Sequence, residues 1–200
     1  KCRAMPDPDL PIHTLLPALR EQLAATDALI IEAPPGAGKT TQVPLALLRE
    51  PWLAGRRIVM LQPRRLAARN AAQRMAELLG EQPGETVGYR MRLDSRVGPR
   101  TVIEVVTEGV LLRMLREDPS LESVGLLIFD EIHERSLEAD LGLALVLHAR
   151  ETFGAEMPLK LLAMSATLDA DALAALLAAP VLRSEGRLHP VEIRYGRAKT

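Results

Sequence analysis

Residues 28–44 read A-L-I-I-E-A-P-P-G-A-G-K-T-T-Q-V-P. An apolar run at 28–32 enters a turn of prolines and glycines, and a helical pattern leaves it at Gly38. A strand that feeds a helix through such a loop is the setting in which G-x-x-x-x-G-K-[ST] cradles phosphates. Gly38, Lys39 and Thr40 complete that pattern, while Ala33 stands where the first glycine belongs. Pro34 biases Ala33 toward extended backbone, so alanine is acceptable there if its φ is negative. The backbone N–H groups of Pro35-flanked Gly36, Ala37, Gly38, Lys39, Thr40 and Thr41 are then expected to wrap a nucleotide's phosphates at the positive end of the helix. Lys39 would neutralise the β and γ phosphates, and Thr40 would place its hydroxyl on Mg²⁺. Gly36 and Gly38 would supply positive φ and close approach. The alternative is a surface turn with an exposed lysine.

A second stretch, 126–135, reads L-L-I-F-D-E-I-H-E-R. Carboxylates at the C-terminal end of a buried parallel strand sit where α/β folds bind ligands. Asp130 and Glu131 can divide the work of nucleotide hydrolysis. Asp130, with Glu131 beside it, would hold Mg²⁺, and Glu131 would orient and deprotonate the attacking water. A solvated helix-capping cluster is the plainer reading of the pair taken alone. A zinc-protease reading of His133-Glu134 fails, because H-E-x-x-H needs histidine at Leu137. His13, His148 and His189 fall in no ligand spacing.

The remaining pattern supports a layered α/β domain. Strands are expected at 57–61, 86–90, 101–106, 125–129, 159–164 and 181–183, and helices at 38–49, 63–79, 109–116, 137–152 and 170–177. Ile12, Leu15, Leu16, Leu19 and Leu23 share one helical face, so an amphipathic helix opens the fold. Pro44 falls inside the second helix, where a kink is expected. Several strands are continuously apolar, as a parallel sheet covered on both faces requires. The apolar segment 168–179 reads as a core helix.

Bulk properties narrow the classes. With 25 Lys and Arg against 26 Asp and Glu, overall charge gives nucleic-acid binding no support, and any basic patch must be local. Cys2 is the only cysteine, which excludes an internal disulfide framework and a multi-thiolate zinc site. No apolar run reaches the length of a membrane span, and the first residues lack the apolar core of a secretory signal. The expectation is a cytoplasmic protein without a membrane partner, its natural start at Met5.

Together these motifs resemble the DEAH/RHA group of superfamily 2 helicases, with D-E-I-H at 130–133, and within that group the bacterial members. Q-P-R-R-L-A-A-R at 62–69 is similar to motif Ia, T-E-G-V-L-L-R at 107–113 to motif Ib, and S-A-T at 165–167 to motif III. G-R-L-H-P-V at 186–191 is similar to the exit from the first RecA-like domain. The resemblance implies a RecA-like P-loop NTPase fold at 28–188, preceded by an N-terminal segment at 1–27. Residues 189–200 would begin the linker to a second RecA-like domain that carries the arginine fingers.

It further implies an ATP-binding, RNA-stimulated motor that translocates along single-stranded RNA. His133 would link the nucleotide site to motif III, and Ser165 and Thr167 would couple hydrolysis to strand movement. Arg64, Arg65 and Thr107 would face the RNA backbone, a contact that gives affinity without reading sequence. Arg74 would stack on the purine. Without arginine fingers, these residues alone should hydrolyse nucleotide weakly. Two other readings stay open at this point: a nucleotide-regulated clamp or adaptor that grips RNA without unwinding, and a DNA helicase of the same superfamily.

Overall fold

Side chains along each apolar run alternate between two packed faces, and that alternation builds the sheet. The computed structural model describes residues 10–153, 158–166 and 170–184. Eight strands form one sheet: β1 (Ala28–Glu32), β2 (Arg57–Leu61), β3 (Val87–Met91), β4 (Asp94–Arg96), β5 (Ile103–Val106), β6 (Val124–Phe129), β7 (Lys160–Ser165) and β8 (Val181–Arg183). Their order is β4-β3-β5-β2-β6-β7-β1-β8. Every neighbouring pair is parallel except β3 with β4. This is the α/β fold with a mostly parallel central sheet that the apolar runs imply.

Among the described residues six helices cover the two faces: α1 (Leu16–Ala25), α2 (Lys39–Leu47), α3 (Arg65–Leu79), α4 (Glu108–Glu117), α5 (Leu137–Phe153) and α6 (Ala170–Leu177). On one face Leu19, Leu23, Val43, Leu47, Ala72 and Met75 from α1–α3 pack on Leu29, Ile31, Ile58 and Met60. On the other, Leu111, Leu143, Val146 and Leu177 from α4–α6 pack on Ile30, Val59, Leu127 and Phe129. Burial on both faces explains why these strands lack a polar alternation. Among the described residues, no helix is long and apolar enough to cross a membrane.

Four details depart from the sequence pattern. Ile12 belongs to a separate 3-10 turn, Pro11–Thr14, rather than to α1. Its N–H donates to Ala37 O at 3.1 Å, so the opening segment lies against the phosphate-type loop. Helix α3 begins at Arg65 and not at Pro63, because Arg64 is extended (φ −108°, ψ 124°). Helix α2 ends at Leu47, with Pro44 buried inside it. The β3–β4 hairpin was not anticipated.

A buried carboxylate ties three strands together. Glu104 on β5 is 1% exposed, and its oxygens meet Arg90 Nε of β3 at 2.8 Å and Arg57 Nη1 of β2 at 3.1 Å. Two flanking guanidinium charges, one of them hydrogen-bonded to Oε2, make a charge tolerable at that depth.

Candidate nucleotide-binding site

The strand order sets β2, β6, β7 and β1 side by side, all parallel. Gln62, Asp130, Ser165 and Ala33 therefore come together at the C-terminal ends of these interior strands, although they are far apart in the chain. Ala33 follows β1 directly, is buried, and donates its N–H to Ser165 O at 3.1 Å. It is absent from the positive-φ positions, so alanine carries no conformational cost there.

The turn after it does need glycine. Gly36 has φ 77° and Gly38 φ 93°. Gly38 is the residue before α2, and a Cβ on it would stand 2.9 Å from Leu10 Cδ1 and 3.1 Å from Ile12 Cγ2. Thus Gly38 serves both the turn and the close approach of the N-terminal segment. Ala37 is buried, and its N–H donates to Pro34 O at 3.2 Å.

Lys39 is only 4% exposed. Its ammonium turns back into the loop and donates to Ala33 O (2.5 Å) and Pro34 O (3.2 Å). Burial pushes its pKa down, against the pull of Glu131 and Asp130. The loop thus holds a buried cation at the N-terminal end of α2, where the helix dipole also favours an anion.

Asp130 follows β6 and is 2% exposed. Thr40 Oγ1 donates to its Oδ2 at 2.6 Å, and Gln62 Nε2 donates to the same oxygen. The Glu131 N–H donates to Oδ1 at 3.0 Å. Even so, burial raises the carboxyl to about 6, with the Thr40 hydrogen bond opposing the rise. A buried carboxylate beside a hydroxyl is a hard-oxygen donor pair, so the residues present fit Mg²⁺.

Glu131 adopts left-handed backbone (φ 51°). Its Oε2 lies 3.3 Å from His133 Nε2, while His133 Nδ1 accepts the Ala166 N–H at 3.3 Å. That acceptor role places the ring proton on Nε2, directed at Glu131. His133 therefore stands between the second acid and the chain just past β7. Ser165 ends β7 and is buried; Thr167 lies outside the described residues.

A cleft of about 440 Å³ opens beside Glu131, lined also by Thr40, Thr41, Gln62, Arg64 and Arg74 among others. Arg74 reaches it from α3, 3.6 Å from Glu77 Oε2. The two motif Ia arginines diverge. Arg64 meets Glu134 Oε1 at 2.6 Å at the cleft, whereas Arg65 donates to Arg92 O at 2.9 Å. Thr107 is the extended residue just before α4, its carbonyl accepting from Val110 and Leu111. Gln62 is the residue that motif reading passed over. The available signal was a neutral amide directly after an apolar strand.

The sequence pattern of the DEAD/DEAH box helicases matches residues 16–176. This chain belongs to the DEAD/DEAH box helicase family. It is 57% identical over 187 residues to the ATP-dependent RNA helicase HrpB of Escherichia coli (strain K12). That match takes in 93% of this chain and 23% of HrpB. It is 37% identical to the DExH-box ATP-dependent RNA helicase DExH6 of Arabidopsis thaliana, over 93% of this chain and 15% of that protein. The fold superimposes on a crystal structure of the E. coli DEAH/RHA helicase HrpB with a TM-score of 0.85 at 55% identity, covering 92% of this chain and 23% of that one. A second crystal structure, of the E. coli DExH-box NTPase HrpB, gives the same TM-score at 56% identity, over 94% of this chain and 23% of that one. The chain thus spans about a quarter or less of the helicases it matches, and its fold is that of the RecA-like domain that the resemblance implies.

Proposed function

We propose that this domain is the nucleotide-binding half of an ATP-driven RNA motor. The observation that carries the reading is the meeting of Thr40, Asp130 and Lys39 at one buried point. Loop residues Pro35–Thr41 would enclose the phosphates, Lys39 would offset their charge, and Arg74 would stand against the base. Thr40 and Asp130 would hold Mg²⁺, with Glu131 at its edge. The ion, when bound, supplies charge neutralisation at the phosphate oxygens.

The chain's own groups would do the rest. Glu131 would orient a water and accept its proton. His133 would fix the Glu131 carboxylate and report its state to the segment after β7, where Ser165 and Thr167 would pass it on. Arg65 and Thr107 would contact the phosphates of a single strand, with Arg64 added when it leaves Glu134. A second RecA-like domain of the longer protein would close the cleft and supply arginines, each worth several orders of magnitude in rate. The relatives named above are RNA helicases, which favours RNA over DNA. A cytoplasmic location fits the lone cysteine.

The test is ATPase activity of the full-length protein with and without single-stranded RNA. Hydrolysis stimulated by RNA and accompanied by strand displacement supports the motor. Stimulation without displacement supports the clamp, and a stronger response to DNA of matched sequence supports the DNA helicase.

A further inference from the structure

The segment that carries the acids is fastened at both ends. It leaves β6 at Asp130, passes through a 3-10 turn (Ile132–Glu134), and enters α5 at Leu137. Glu131 (φ 51°) and Arg135 (φ 42°) both have positive φ without being glycine. Such conformations persist where surrounding contacts hold them. At its exit Arg135 pairs with Asp140 inside α5, with Nη2 2.8 Å from Oδ2, and Ser136 makes a contact that reaches a different helix. The Ser136 hydroxyl donates to Glu108 Oε1 at 2.5 Å and accepts the Ala139 N–H at 3.0 Å. Accepting from Ala139 caps α5, a local task. Donating to Glu108 reaches across to another element, and capping does not require it.

Glu108 is the first residue of α4 and follows Thr107 directly. A cavity of about 240 Å³ separates this pair from the acids, with Phe129, Asp130, Glu131, Glu108 and Ser136 in its wall. Empty space on one side of a short, strained segment leaves it room to shift. Its tether to α4 is a short hydrogen bond to a carboxylate, stronger than one between neutral groups.

We propose that Ser136 and Glu108 are positioning residues that couple the acid segment to the strand-facing start of α4 at Thr107. The proposal rests on the reading above, in which hydrolysis keeps step with strand binding. When turnover at the neighbouring site displaces the acid segment within the cavity, the Ser136–Glu108 bond carries that displacement to α4. Packed elements linked by a defined contact transmit displacement in this way.

The experiment uses the full-length protein, with oligouridylate as the strand probe, and measures basal and strand-stimulated turnover. Ser136→Asp keeps a capping oxygen but replaces the donor with a like charge against Glu108. It is expected to lower stimulated turnover by about tenfold, the scale of one hydrogen bond to a charged group, with basal turnover held within about twofold. Ser136→Thr, which keeps the hydroxyl, should behave as wild type. Combining Ser136→Asp with Glu108→Gln removes the repulsion and should recover most of the stimulation. Equal loss of basal and stimulated turnover, or no recovery in the double variant, overturns the proposal and leaves only helix packing. Wild-type protein that ignores the strand would overturn the functional reading itself, and this inference with it.

Discussion

The Thr40 hydroxyl donates to Asp130 across 2.6 Å, although the two residues lie 90 positions apart. One follows β1 and the other β6, and the parallel pairing of both strands with β7 brings them to the same C-terminal end of the sheet. The surrounding electrostatics depend on that meeting. Asp130 is buried by it, and Lys39 is desolvated beside it.

Asp130 gives the nucleotide-free domain a pH dependence. Its carboxyl rises from 3.8 to about 6 on burial. Between those values the folded chain keeps a proton that the unfolded chain has released. Stability is therefore highest below this window and falls as pH rises through it, by about 3 kcal/mol at most. Asp130→Asn keeps an acceptor oxygen without the charge. Its melting temperature should exceed wild type by roughly 5 °C at about pH 8, and match it near pH 4. Thermal melts across that range check this; parallel curves would show that the buried charge costs nothing.

Glycine is needed at Gly38 more than at Gly36. Both have positive φ, but only Gly38 has neighbours within reach of a Cβ. Gly36→Ala should cost about 1 kcal/mol from backbone strain alone. Gly38→Ala adds overlap with Leu10 and Ile12, raising the cost to about 2–4 kcal/mol. Urea unfolding of the two variants measures the difference, and equal midpoints would remove the packing role of the N-terminal segment.

Glu131→Gln should separate binding from turnover in the full-length protein. The amide preserves shape and can still meet His133, but it cannot accept the proton of an attacking water. Nucleotide affinity is expected to stay within about threefold while turnover falls by a factor of about 100 or more. A variant that keeps wild-type turnover would remove Glu131 from the chemistry.

Arg74 offers the cleft a planar cation. Arg74→Ala should weaken ATP and GTP alike by about fivefold, since stacking on a purine does not read its edge. A loss confined to one nucleotide, seen in fluorescence titrations of both, would point to edge recognition instead.

Much of this was legible in the residues because the apolar runs are long and the chemistry sits in contiguous motifs. Strands β1, β2 and β8 and helix α6 fall at the expected bounds, since each is closed by polar or turn residues. The β3–β4 hairpin was invisible for a physical reason. Its turn holds Leu93 at φ 65° in place of glycine or asparagine, and Asp94–Arg96 is too short and polar to show alternation. The onset of α3 was misplaced because Pro63 suits a first helical turn, yet Arg64 stays extended. In the site, the loop and the acids announced themselves through motif spacing. Gln62 did not, because its role depends on β2 lying next to β6. The pairing of Arg64 with Glu134 was hidden likewise, since it depends on the chain after β6 lying beside the residue before α3.

The most direct measurement is calorimetric titration of this domain with ATP, with and without Mg²⁺, for wild type and Lys39→Ala. Wild type should bind, and more tightly with the ion present. Lys39→Ala should lose at least about tenfold in affinity, because a buried cation facing the phosphates is removed. Equal affinity in the two proteins, or binding indifferent to Mg²⁺, would contradict a shared site for Lys39, Thr40 and Asp130.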